Sequence, residues 1–88
     1  MKNGLIIKAG IKFIYKDNKL HNDIGPAVEF PSGTKWWCNN GKWHNTEGPA
    51  IENADGTFGY WVNGKCLSFI LSNIKLTKEQ MELYITFM

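Results

Sequence analysis

Arginine is missing from this chain. All ten basic residues are lysine, set against eight acidic residues for a net charge of +2. Bidentate recognition of phosphate or guanine relies on the arginine fork, so nucleic acid is an unlikely partner. Cysteine is scarce as well, with Cys38 and Cys66 alone. Two thiols make no disulfide framework, and they read as small, reduced, buried apolar side chains. No apolar run approaches the ~20 residues of a membrane span. The opening MKNGLIIKAG lacks the architecture of a signal peptide. A cytoplasmic protein with no membrane contact is therefore expected. The catalytic signatures are missing too: there is no G-x-S-x-G, no phosphate-cradling glycine loop and no H-E-x-x-H. Paired C-x₂₋₄-C and H-x₃₋₅-H spacings, which zinc sites use, are also missing. These gaps argue against an enzyme, a cofactor and a metal.

What the chain has in quantity is aromatic surface. Four Trp, three Tyr and five Phe occur in 88 residues. A domain this short buries only about 60–65% of its unfolded surface. Each aromatic side chain adds about 150–250 Å² to what can be buried, enough to sustain one domain over residues 1–88. Lys, Asn and Ile, all with AT-rich codons, are abundant, which points to a low-GC bacterium or one of its phages.

The chain repeats itself. Residues 14–36, IYKDNKLHNDIGPAVEFPSGTKW, align without a gap on residues 37–59, WCNNGKWHNTEGPAIENADGTFG. Nine of the 23 positions are identical, among them His21 and His44, Gly25 and Gly48, Pro26 and Pro49, and Glu29 and Glu52. Partial copies extend the pattern to about Leu5 and Ser68. It lapses at Leu67, where a third His is due.

Turn residues divide each copy. Asn40-Gly41 and Asn63-Gly64 suit two-residue type I′ hairpins, in which both central residues have positive φ. Asp17-Asn18 fits the same role. Ser32-Gly33, Asp55-Gly56 and, by alignment, Ala9-Gly10 mark a second turn per copy. Between them run β-prone segments at Leu5–Lys8, Ile11–Lys16, Ala27–Phe30, Thr34–Cys38, Ala50–Asn53 and Thr57–Val62. Residues 22–26 and 45–49 are polar and Gly/Pro-rich, hence loops. The expected fold is mainly β: an antiparallel meander of repeated β-hairpins over 5–68. A C-terminal α-helix over 76–88 should follow. Thr77 with Gln80 makes a capping box, and Met81, Tyr84, Ile85 and Met88 recur at helical spacing, with Leu83 and Phe87 widening the stripe.

The pieces NGKWH, GPAIE and ADGT, followed by another NGK, resemble the MORN repeat family, in particular its variant NGKxH…GPAxE…DG repeats of bacterial and phage proteins. The resemblance covers residues 5–68 and excludes the tail. It implies β-hairpins stacked into an elongated sheet that serves as a scaffold or binding surface.

The repetition also weighs on individual residues. A fold-defining residue needs a copy in every repeat, whereas a catalytic one does not. His21, Gly25, Pro26, His44, Gly48 and Pro49 therefore read as structural, with each imidazole bonding the Asn/Gly-Pro loop. Glu29 and Glu52 read as partners for lysine, and Asp23 and Glu47 as loop caps. Trp36 and Trp37 are adjacent and must face opposite ways on a strand. With Trp43, Tyr60, Trp61 and Tyr84 they supply the residues expected to touch a partner. The leading expectation is a small, non-catalytic protein-binding module, an adaptor or inhibitor of a host or defence protein encoded by a phage. Nucleic-acid or small-ligand (sugar or nucleotide) binding through lysine and aromatics is the alternative. A structural homodimer is another.

Overall fold

The computed structural model describes residues 2–70 and 76–86; the side chains of residues 68–70 and 84 lie outside that description. Ten strands run β1 (Gly4–Lys8), β2 (Ile11–Lys16), β3 (Lys19–Leu20), β4 (Val28–Glu29), β5 (Lys35–Trp36), β6 (Cys38–Asn39), β7 (Lys42–Trp43), β8 (Ile51–Glu52), β9 (Phe58–Val62) and β10 (Lys65–Ile70), followed by helix α1 (Lys78–Thr86). Every pairing is antiparallel. The main sheet runs β1-β2-β4-β5-β8-β9-β10, with β3 also on β2; β6 and β7 form a separate hairpin. This is the expected hairpin meander with a C-terminal helix.

The turns follow from their residues. Positive φ occurs at both central positions of the β2–β3, β6–β7 and β9–β10 turns: Asp17-Asn18, Asn40-Gly41 and Asn63-Gly64. That is the type I′ backbone, whose twist matches the strands it joins. Ala9-Gly10 has the same backbone, with Lys8 opposite Ile11. It is therefore a tight hairpin and not the longer turn made by Ser32-Gly33. At the Asp55-Gly56 turn, the Asp55 carboxylate accepts from the Thr57 N–H at 3.0 Å and the Thr57 hydroxyl at 2.7 Å. Those bonds hold its carboxyl below the usual range.

The loops at 22–26 and 45–49 are excursions within one strand path. Leu20 lies opposite Tyr15, and Val28 resumes opposite Phe13 on the same edge of β2. Asn22 holds the first excursion closed, with Nδ2 donating to Pro26 O at 3.1 Å and Oδ1 accepting from the Ile24 N–H at 3.2 Å. Asn45 does the same to Pro49 O and the Glu47 N–H, at 3.0 and 2.9 Å. The chain re-enters the sheet at Ala27 and Ala50, both buried. Residues 34–38, expected as one strand, change pairing partners at Trp37. β5 pairs with β4 and β8, β6 pairs with β7, and the Trp37 N–H bonds Ala50 O between them at 2.7 Å.

Backbone bonds repeat as the sequence does. His21 N to Ile14 O recurs as His44 N to Trp37 O, and Asn22 N to Cys38 O recurs as Asn45 N to Trp61 O. At the C-terminal end, Phe58, Tyr60 and Met81 form a buried cluster with Leu67, Leu76 and Ile85 packed against it. Leu67, in place of a third histidine, thus serves the core beneath the helix. The Tyr60 hydroxyl accepts from the Leu76 N–H at 2.7 Å, which fixes the chain on its way into α1. Thr77 and Gln80 close the capping box reciprocally, at 2.9 and 3.1 Å. Leu83 was expected to widen the buried stripe, but it is 61% exposed. It lies two positions from Met81, which places it away from the packed side of the helix. Phe87 and Met88 lie outside the described residues.

Candidate functional site

Strand alternation divides the side chains between two faces. Phe13, Val28, Trp36 and Ile51 fall on one face by direct pairing, and so do Cys38 with Trp43 and Cys66 with Trp61. The other face carries Ile14, Trp37 and Tyr60, and the helix covers its C-terminal end. Trp36 and Trp37 do point oppositely.

On the first face the rings form a continuous row. Phe30 meets Trp36 edge-on at 4.9 Å between centroids, Trp36 meets Trp43 at 5.6 Å and 87°, and Trp43 meets Trp61 at 4.9 Å. These separations suit favourable aromatic pairing. Trp36, Cys38, Trp43 and Trp61 line a groove of about 300 Å³, with Gly41, Lys42 and Gly64 at its turn end. All three indoles are only partly buried. Gly59 makes room for the row: a Cβ there would lie 3.3 Å from Trp61 Nε1 and 3.4 Å from Ile51 Cβ. Trp61 Nε1 is itself buried with no hydrogen-bond acceptor. Burial pushes the Cys38 thiol up to about 11, so it is a neutral member of this apolar floor. Cys66, expected to be buried, is instead exposed, because it lies just past the exposed Asn63-Gly64 turn; both cysteines are free.

The other expected contact residues lie elsewhere. Trp37 lines a separate cavity of about 210 Å³ on the opposite face, between the two repeat loops. Tyr60 is a correction: it is 0% exposed, because its position in β9 faces the helix and its ring fills the core there. No surface partner reaches it. The Tyr84 side chain lies outside the described residues.

The histidines turn out to be clasps between successive hairpins. His21 Nδ1 accepts the Asn40 N–H at 3.1 Å, and His44 Nδ1 accepts the Asn63 N–H at 3.0 Å. The first central N–H of a two-residue turn has no partner within its own hairpin, and the preceding repeat's imidazole supplies one. This corrects the expected bond to the Asn/Gly-Pro loop, which His21 alone makes, through Nε2 to Asp23 Oδ1 at 2.8 Å. The acceptor role assigns the tautomer, with Nδ1 bare and Nε2 protonated. At the first hairpin, Asn3 Oδ1 accepts the Asp17 N–H at 3.0 Å and stands where a histidine would. The sequence signal for the clasp was the constant separation of each His from the next Asn-Gly turn.

Among the described residues, no group of three or more His, Cys, Asp or Glu is placed to hold a metal ion. No helix among them is long and apolar enough to cross a membrane. Comparison of the chain with known protein families, with curated proteins and with solved structures finds no match.

Proposed function

We propose that this protein is a non-catalytic protein-binding module that engages its partner through the row formed by Phe30, Trp36, Trp43 and Trp61. One observation carries the reading: three tryptophans, each only partly buried by the described residues, converge on one open groove. Tryptophan is enriched at the energetic centres of protein interfaces. The groove wall is indole and thiol, so it suits a segment presenting apolar side chains. Strand alternation puts Lys12 and Lys35 on the face away from the rings. Of the residues lining the groove only Lys42 is cationic, short of the basic track that a strand-binding nucleic-acid site sets beside its stacking rings, which favours a protein. Each histidine is engaged through Nδ1 as a clasp and recurs in both repeats, as a structural residue does.

The MORN-like repeats, the small size and the AT-rich residue usage support an adaptor or inhibitor acting on a host protein, of the kind phages encode. Two free cysteines fit a reducing, cytoplasmic setting. The test is capture of partners from a bacterial lysate by the wild type and by Trp43→Ala, compared by mass spectrometry. A bound protein should be lost with the indole; a set identical for both forms rejects the groove.

A homodimer is the second reading, and β1 favours it. This strand ends the sheet and exposes Leu5 at 59% and Ile7 at 61%. Edge strands of this kind template pairing with another chain. Sedimentation at increasing concentration decides it: a monomer throughout excludes the dimer.

A further inference from the structure

The cavity on the opposite face has a different chemistry from the aromatic groove. It is lined by Trp37, Asn39, His44, Thr46 and Glu47, with Asn22, Asp23 and Asn45 completing the wall. The two loop excursions form its sides, so it exists only because two repeats stand next to each other. At about 210 Å³ it falls below the ~300–1,000 Å³ of drug-sized sites, and it takes a group about the size of one ring.

Comparing the two repeats shows what is left open. In the first, His21 Nε2 donates to Asp23 Oδ1. The matching position in the second is Thr46, and His44 lines the cavity with no acceptor for its Nε2–H among the described residues. Among the described residues, the Asn39 amide, the Thr46 hydroxyl and the Glu47 carboxylate also make no side-chain hydrogen bond. Asp23 retains one carboxylate oxygen beyond its bond to His21. The cavity therefore offers an imidazole donor, an amide that both donates and accepts, a hydroxyl and two carboxylate acceptors beside an indole.

We propose that this cavity is a binding site for a single sugar ring. A pyranose has an apolar C–H face to pack on Trp37, while each hydroxyl both donates and accepts. Its hydroxyls can accept a hydrogen bond from the His44 Nε2–H and donate hydrogen bonds to the Glu47 and Asp23 carboxylates. Phosphate-bearing ligands are disfavoured by the two carboxylates, and a bare cation leaves the His44 donor without an acceptor. The site lies on the sheet face away from the aromatic groove, so its fate is separate from that of the protein-binding reading.

The test is NMR titration of the isotope-labelled full chain with D-glucose, D-galactose, D-mannose and N-acetyl-D-glucosamine, one at a time. At least one sugar should shift the Trp37 indole and the amides of residues 45–47 saturably, with Kd of about 1–10 mM. Contrary to its reading as a loop cap, the exposed Glu47 carboxylate bonds none of the described residues, so Glu47→Ala should leave the fold intact and weaken that binding about tenfold. Its spectrum away from the cavity should stay unchanged. Several results overturn the proposal: no saturable shift with any of the four sugars, equal binding by Glu47→Ala, or shifts confined to the Trp36 and Trp61 indoles. Saturable binding of ethylguanidinium with no response to sugar also overturns it, and marks the cavity as a receptor for a basic side chain.

Discussion

The smallest repeated unit of this fold is a single hydrogen bond, from a turn N–H to a histidine Nδ1. It ties each hairpin to the next at the exposed rim. Water can replace the imidazole there, so the cost of losing it is that of one ordinary bond. His44→Ala should lower stability by about 1 kcal/mol and His21→Ala, which also loses the bond to Asp23, by about 1–2 kcal/mol, measured by urea denaturation, and both should leave partner binding intact. Loss of binding by either variant at full folding would assign the imidazole a contact role. The cysteines provide a second check at this scale. Cys66 should react rapidly with a thiol reagent in the native protein and Cys38 only on unfolding. Because burial raises the Cys38 thiol from 9.0 to about 11, the folded state holds its proton more tightly than the unfolded chain does. Stability is therefore undiminished below pH 9.0 and declines as pH rises toward about 11. Cys38→Val should flatten that decline relative to wild type in denaturation scans at matched pH.

At the scale of elements, turns and helix cap were legible because their chemistry is local. Asn-Gly at positive φ needs no tertiary information, and neither does a Thr and a Gln three residues apart. Thr77→Ala should cost about 0.5–2 kcal/mol, and Tyr60→Phe, which removes the acceptor for the Leu76 N–H, about 1 kcal/mol. Both are read by thermal unfolding, and a neutral Tyr60→Phe would mean the helix entry is held by packing alone. What the sequence could not show was pairing across distance. The loops at 22–26 and 45–49 looked like connections between hairpins. They are bulges within one strand path, because Ala27 and Ala50 return to the edge that Leu20 and Trp43 have just left. The imidazole bond spans 19 residues, so local reading assigned it to the nearer loop.

For the whole molecule, alternation predicted that Trp36 and Trp37 part company, and they do. It did not predict which ring would join Trp43 and Trp61, since that depends on how β5, β6 and β9 line up. Gly59 was a legible hint, as the position matching Trp36 is emptied just where Trp61 needs space. Tyr60 was misplaced because its burial depends on the helix returning over β9, a contact of high sequence separation. The aromatic groove is the central claim about function, and one comparison addresses it most directly: affinity of the captured partner for wild type, Trp43→Ala and Trp37→Ala, each shown to be folded by its NMR spectrum. Trp43→Ala should weaken binding by about 30-fold or more, the loss of ~2 kcal/mol typical of an interface hot spot, while Trp37→Ala stays near wild type. Undiminished binding by folded Trp43→Ala would contradict the claim.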